Sequence, residues 1–149
     1  TLAATDNFTV AAHGYLADTA QTNSFALSPF AADVSPPTQG KFRIQVIHAA
    51  AASAFAQVDV WNVTDAANPA ALIEDFDYGA SVTTELDSGV AYVLGLDIDN
   101  DGAPDATFNV PDTLAGFVTV YAVNDTAGAP SLLAHFEDGT SAQISANAN

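Results

Sequence analysis

The residues with the clearest chemistry lie in one acidic segment, the run DIDNDGAPD at residues 97–105. Carboxylates alternate along it, and glycine stands at the sixth position, where a calcium loop bends tightly. Calcium takes about six to eight oxygen ligands wrapped in a small radius. We therefore expect a structural Ca²⁺ bound by the carboxylates of Asp97, Asp99 and Asp101, by the carbonyl of Ala103, and by Asp105 directly or through water.

Two other interpretations of this segment compete with a calcium loop. An EF-hand is excluded, because its twelfth position is Phe108 instead of a bidentate glutamate and the flanking residues are typical of strands. A solvated hairpin loop is the simpler alternative, since turns favour Asp, Asn and Gly. Four crowded carboxylates repel one another unless a cation intervenes, which favours calcium.

No arrangement typical of an enzyme is present in the sequence. There is no Gly-x-Ser-x-Gly elbow and no glycine-rich phosphate loop. The three histidines, His13, His48 and His135, do not stand at metal-ligand spacings. We expect each to be a structural histidine with its hydrogen bonds satisfied, and we predict no catalytic activity.

The charge of the chain excludes several classes of partner. Two basic residues against 18 acidic ones give a net charge of −16 over 149 residues. Such a chain repels phosphate backbones and anionic lipid head groups, so we expect neither nucleic-acid binding nor membrane insertion. Thr1 is followed by small residues, as after removal of a leader peptide, which predicts a secreted protein at the cell surface.

The elements that position these residues are predicted to be strands. From Lys41 onward apolar residues alternate with polar ones, so that Phe42, Ile44 and Val46 share one face while Arg43 and Gln45 point to solvent. Further strands are expected at 57–61, 81–85, 90–98, 105–110, 116–123 and 131–137. Short strands separated by turn residues predict an all-β, immunoglobulin-like β-sandwich with Greek-key connections over residues 41–149.

An N-terminal extension precedes this domain. Residues 1–40 contain two strand-like pieces, at 7–12 and 24–27, and end in a Pro36-Pro37 linker.

Several short motifs resemble one family. The run RIQVIHA at 43–49, VDVW at 58–61, FDYG at 76–79 and SGVAY at 88–92 are similar to those of the secreted β-sandwich family catalogued as domain of unknown function 4397. The resemblance covers roughly residues 41–137. It implies an immunoglobulin-like sandwich on bacterial or archaeal exteriors and brings no catalytic residues.

Two features of the sequence are compatible with binding a glycan or carrying one. Trp61 and Tyr78 could form a sugar-stacking platform, although packing between the two sheets is favoured. Asn-x-Ser/Thr sequons at Asn7, Asn62 and Asn124 are possible glycosylation sites.

The extension suggests a function. Phe8, Val10 and Ala12 alternate with smaller or polar residues, so this strand could add to an open sheet edge of another copy. Contacts of that kind that do not close form filaments. We therefore expect a subunit of an extracellular, pilus-like filament that binds other copies of itself.

The extension could instead fold back on its own domain. The alternative function is a monomeric, calcium-stabilised adhesion or carbohydrate-binding module of a surface protein.

Overall fold

The computed structural model describes residues 7–16 and 23–147. Residues 1–6, on which the expectation of a processed N-terminus rests, lie outside this part of the chain. The strands in the described residues are β1 (Phe8–His13), β2 (Ala26–Ala31), β3 (Lys41–His48), β4 (Gln57–Asn62), β5 (Ala70–Asp77), β6 (Ser81–Asp87), β7 (Tyr92–Asp97), β8 (Ala106–Val110), β9 (Phe117–Asn124), β10 (Pro130–Phe136) and β11 (Ser141–Ser145). A short 3-10 turn, Ser53–Phe55, lies between β3 and β4. The all-β prediction is confirmed.

The strands form three sheets. One has the order β11-β10-β9-β3-β6, the second β5-β4-β7-β8, and the third is the β1-β2 hairpin. All pairings between these strands are antiparallel except that of β3 with β9, which is parallel. This arrangement is consistent with a β-sandwich, while the immunoglobulin-like Greek-key connections stay a prediction. No helix in the described residues is long and apolar enough to cross a membrane.

The hydrophobic core lies between the five-stranded and four-stranded sheets. Its largest cluster joins Phe42 and Ile44 of β3 and Val118 of β9 to Tyr92 and Leu94 of β7. A second cluster includes Val58 of β4 and Phe76 of β5. The inward face of β3 therefore holds the alternating apolar residues that the sequence predicts.

The hairpin of β1 and β2 covers the other face of β3. Ala11 and Phe30 of the hairpin form a buried cluster with Ile47 of β3, with Tyr121 of β9 packed against it. The expectation that this face of β3 meets solvent is wrong for Gln45, which is completely buried. Its amide donates to the carbonyl of Ala31, which ties the sheet to the hairpin.

Candidate functional site

The acidic loop connects β7 to β8. Asp97 ends β7, and Ala106 begins β8. One carboxylate oxygen from each of Asp97, Asp99 and Asp105 lies within 4.8 Å of the others. These are three of the five predicted metal ligands, and their spacing suits a single hard cation.

The loop is folded around the carboxylate of Asp97. Asp97 is completely buried, and its two oxygens accept the backbone N–H groups of Asp101 at 3.3 Å and Gly102 at 2.9 Å. Asn100 and Gly102 have positive φ angles of 56° and 87°, the left-handed conformation that Asn and Gly tolerate best. Asn100 and Gly102 thus allow the bend that brings the backbone N–H groups of residues 101 and 102 to the carboxylate of Asp97.

One predicted carboxylate ligand, Asp101, lies outside this group. The carboxylate of Asp101 accepts the N–H of Ala103 at 2.9 Å and does not belong to the three-carboxylate group. Asp105 belongs to it while also accepting the N–H of Ile98 at 2.7 Å. Ligation by Asp101 and by the carbonyl of Ala103 stays a prediction.

A fourth acid near the loop was missed at the level of sequence. Asp59 of β4 stands directly opposite Asp97 of β7 in the strand register. Its carboxylate accepts the N–H of Asp75 at 2.7 Å, where β5 has a positive φ of 52°. Only the strand pairing reveals this neighbour, because 38 positions of sequence separate the two residues.

No basic residue neutralises the loop. The only lysine and arginine in the sequence lie on β3. Lys41 is paired with Asp87 at 2.7 Å, and Arg43 with Glu85 at 2.7 Å and Asp33 at 3.2 Å. The carboxylates near Asp97 must therefore be balanced by backbone donors, solvent or a bound cation.

The predicted self-assembly strand, β1, turns its apolar face outward. Phe8 and Val10 are 40% and 61% exposed, and Ala12 is exposed as well. Thr9, Ala11 and His13 face the opposite way, toward the five-stranded sheet. In this structure the extension packs on its own domain through the less apolar face of β1.

Two histidines behave differently from each other. His13 is hydrogen-bonded to the hydroxyl of Tyr78 at 2.6 Å and to that of Ser28 at 2.9 Å, which fastens the hairpin to the turn after β5. The ring nitrogens of His48, which is 1% exposed, have no hydrogen-bond partner among the described residues. The expectation of a satisfied histidine therefore holds for His13, whereas the ring of His48 only approaches the backbone of Phe55 without reaching hydrogen-bond geometry.

His48 is buried among apolar and aromatic groups. Its ring lies 5.3 Å from that of Phe76 and 6.0 Å from that of Tyr78, between centroids. It also lines a core cavity of about 60 Å³. Burial lowers the pKa of His48, and the backbone of Phe55 and the carboxylate of Asp77 only partly oppose this effect. The neutral imidazole is therefore favoured in the folded protein.

Trp61 was expected to pack between the sheets, and that expectation is wrong. It alternates on β4 with the inward-facing Val58 and Val60 and is not part of the buried clusters. Trp61 is half-buried beside Gly95 of β7 on the outer face of the four-stranded sheet. Tyr78 instead contacts the rings of His13 and His48.

The three sequons lie in different surroundings. Asn7 is exposed at the start of the hairpin. The side chain of Asn62 accepts the N–H of Thr64, and that of Asn124 accepts the N–H of Ala52. Glycosylation at each position stays a prediction.

Comparison with known proteins does not assign the chain to a class. No family model, curated protein or solved structure matches it. The resemblance to domain of unknown function 4397 stays a prediction, and function has to be argued from the geometry described above.

Proposed function

We propose that this protein is a structural subunit of an extracellular, pilus-like filament whose copies join by β-strand addition. The observation that carries the proposal is the open outer edge of β1. Ala32 donates its N–H to the carbonyl of Asn7, so the odd-numbered residues of β1 form the hydrogen-bonded pairs with β2. The backbone N–H and C=O groups of Phe8, Val10 and Ala12 therefore point away from β2, and none has a partner in the described residues.

The exposed face of the hairpin supports this proposal. Three cross-strand pairs stand on that face, Phe8 with Ala31, Val10 with Pro29 and Ala12 with Leu27, and all six residues are apolar and exposed. A monomer gains nothing from presenting its more apolar hairpin face to water, whereas a partner that covers this face removes apolar surface from solvent.

Electron microscopy of the purified full-length protein tests the filament directly. We expect fibres in the wild type and none after Val10→Pro, which removes one outward-facing N–H donor without removing a β1–β2 hydrogen bond. Val10→Ala, which keeps the donor, is the matched control and retains fibres. Dispersed single particles of wild type at every salt and calcium concentration would exclude the filament.

Point variants test the filament more cleanly than truncation of the extension. Ile47 and Gln45 are completely buried beneath the hairpin. Deletion of residues 1–31 would expose both and leave the amide of Gln45 without Ala31, so a loss of fibres in that variant would also follow from destabilised monomers.

Calcium is proposed as a structural ion of the Asp97, Asp99 and Asp105 group. The buried carboxylate of Asp97 and the lack of any nearby base support it. A ligand at about 100 times its dissociation constant stabilises a fold by about 2.7 kcal/mol. We expect Ca²⁺ to raise the melting temperature and a chelator to lower it, with the response lost in Asp97→Asn and kept in Asp112→Asn, which alters an exposed acid elsewhere. An unchanged melting temperature in wild type would exclude a structural ion there.

A second candidate function is the monomeric adhesion or carbohydrate-binding module. The position of Trp61 on the outer face of the four-stranded sheet favours it, because its half-buried indole, whose Nε1 is covered, leaves part of the ring open for stacking on a sugar. Glycan-array binding that is lost in Trp61→Ala, together with single particles in the microscope, would favour this function over the filament.

A further inference from the structure

The three sheets of the described chain have six edge strands: β1, β2, β5, β6, β8 and β11. An open edge presents unpaired N–H and C=O groups that can pair with another chain, and proteins usually block such edges. Four of the six are blocked, each in an identifiable way.

The β2 and β8 edges are blocked through their backbone groups. Pro29 stands in a non-hydrogen-bonded pair with Val10, so its nitrogen faces outward but carries no hydrogen. The outward carbonyl of Ala31 accepts the amide of Gln45. On β8 the carbonyl of Thr107 is occupied by the N–H of Asn147.

The β5 edge is blocked by charge and irregular backbone, and the β6 edge by an occupied donor. The register of β5 shifts against β4, and β5 carries Glu74, Asp75 and Asp77, which repel a second copy with net charge −16. β6 carries Glu85 and Asp87, but these are paired with Arg43 and Lys41. The β6 edge is therefore blocked only where the outward N–H of Asp87 donates to the hydroxyl of Tyr92.

The β11 edge has none of these protections within the strand itself, although two residues past its end Asn147 bonds to Thr107 of β8. Phe136 donates its N–H to the carbonyl of Thr140, so the outward-facing backbone groups of β11 belong to Ser141, Gln143 and Ser145. No hydrogen bond to these backbone groups exists in the described residues. The strand, Ser-Ala-Gln-Ile-Ser, is uncharged.

We propose that β1 of one copy pairs with β11 of the next copy. This inference rests on the proposed filament and names the two strands that meet. Both are uncharged, unpaired and regular, and they lie on different sheets of one chain. A contact between two different surfaces leaves one free β1 and one free β11 at the ends of every oligomer, so growth continues.

Charge favours this pair of surfaces over the acidic edge of β5. The described hairpin residues, 7–16 and 23–31, contain no acidic residue, and neither do β10 and β11. Two strongly acidic copies therefore approach one another with the least repulsion where these segments meet. Backbone hydrogen bonds then supply the attraction without any need for basic side chains.

A mixing experiment with two edge-blocked variants tests the pairing. Val10→Pro blocks β1, and Gln143→Pro blocks β11 by removing an outward donor that β10 does not use. We expect each variant alone to sediment as a monomer, and an equimolar mixture to form a one-to-one heterodimer through the two remaining edges. The matched controls Val10→Ala and Gln143→Ala should still form fibres.

Other outcomes would overturn the pairing. If each proline variant alone forms a dimer and the mixture gives no new species, β1 pairs with β1 and β11 with β11. If both variants still form fibres, or the mixture stays monomeric while wild type forms fibres, these edges do not join each other although the filament exists. Monomeric wild type instead removes the proposed function itself.

A second pair of variants controls for misfolding caused by the proline substitutions. Val10→Glu and Gln143→Glu place a carboxylate on exposed side chains of the two strands and keep both N–H groups. We expect the same pattern from them, monomers alone and fibres absent, with melting temperatures close to that of wild type. Fibres in Val10→Glu and Gln143→Glu together with misfolded proline variants would count against the pairing.

Discussion

The side-chain amide of Gln45 on β3 donates to the backbone carbonyl of Ala31 on β2 at 2.8 Å. The carbonyl of the same amide accepts the hydroxyl of Thr9 on β1 at 3.0 Å. One completely buried side chain therefore connects the five-stranded sheet to both strands of the hairpin. This residue fixes the hairpin in the position that leaves the outer edge of β1 open.

Replacing Gln45 should loosen the hairpin. Gln45→Leu removes two part-buried hydrogen bonds, from the hydroxyl of Thr9 and to the carbonyl of Ala31, which contribute about 0.5–1.5 kcal/mol each. We expect a lower urea midpoint and faster proteolysis within residues 7–31. Gln57→Leu, which loses only an exposed bond to Asp77, is the matched control and should change little. Equal midpoints for the two variants would contradict this role of Gln45.

Sequence patterns predict most of the strands but not how they meet. The alternation along β3 places Phe42 and Ile44 in the core correctly. It gives the wrong environment for Gln45, because nothing in that alternation shows that a hairpin from residues 8–31 covers the second face. Burial of a strand on both faces depends on tertiary packing.

The two strands that the sequence did not predict lack a clear period of two. β11 is polar and mostly exposed on both faces, so no alternation marks it. β5 buries Ile73 and Phe76, three positions apart, because its register shifts against β4. The acidic loop was predicted from its spacing, whereas the place of Asp59 opposite Asp97 follows only from the register of β4 and β7.

Acidification should destabilise the fold through His48. Its pKa is lowered in the folded protein, so below the unfolded value of 6.5 the unfolded chain binds a proton that the folded chain does not. The free energy of unfolding should therefore be constant above about pH 7 and fall below pH 6.5 by at most about 1.4 kcal/mol per pH unit.

Denaturation between pH 8 and pH 5 measures this effect, since the carboxylates of Asp33 and Glu85, whose pKa values are lowered, stay ionised in that range. His48→Leu should remove the slope below pH 6.5. His135→Asn, which alters an exposed histidine on β10, should keep it. The same slope in His48→Leu and wild type would show that other groups are responsible.

The acidic loop should be sensitive to the size of residue 95. A Cβ added to Gly95 would lie 2.7 Å from Cγ and 2.9 Å from Cβ of Pro104, which is tighter than packed atoms allow. Gly95→Ala should therefore displace the loop from the outer face of β7 and cost about 1–3 kcal/mol of stability. Because the same loop carries Asp97, Asp99 and Asp105, the rise in melting temperature with Ca²⁺ should shrink as well.

A double variant separates this contact from a general effect of alanine at position 95. Pro104→Gly removes both of the atoms that the new methyl group would meet most closely, although Val63 Cγ1 at 3.2 Å remains. Gly95→Ala with Pro104→Gly should therefore be less destabilised than the sum of the single variants, by at least about 0.5 kcal/mol. Additive effects would mean that residue 95 does not act through the loop.

Filament assembly should become easier as salt concentration rises. Each copy carries a net charge of −16, and its lysine and arginine are already paired with Asp87 and Glu85. Neighbouring copies therefore repel one another over about 30 Å at 0.01 M salt but only about 10 Å at 0.1 M. We expect the critical concentration for fibres to fall across this range of NaCl, measured by light scattering in chelator so that calcium does not contribute.

A double variant tests the same effect. Glu74→Gln with Asp112→Asn, which neutralises two exposed acids outside β1 and β11, should lower the critical concentration at 0.01 M salt and have less effect at 0.1 M. A critical concentration that rises with salt would mean that ion pairs between copies, and not uncharged strand edges, hold the filament together.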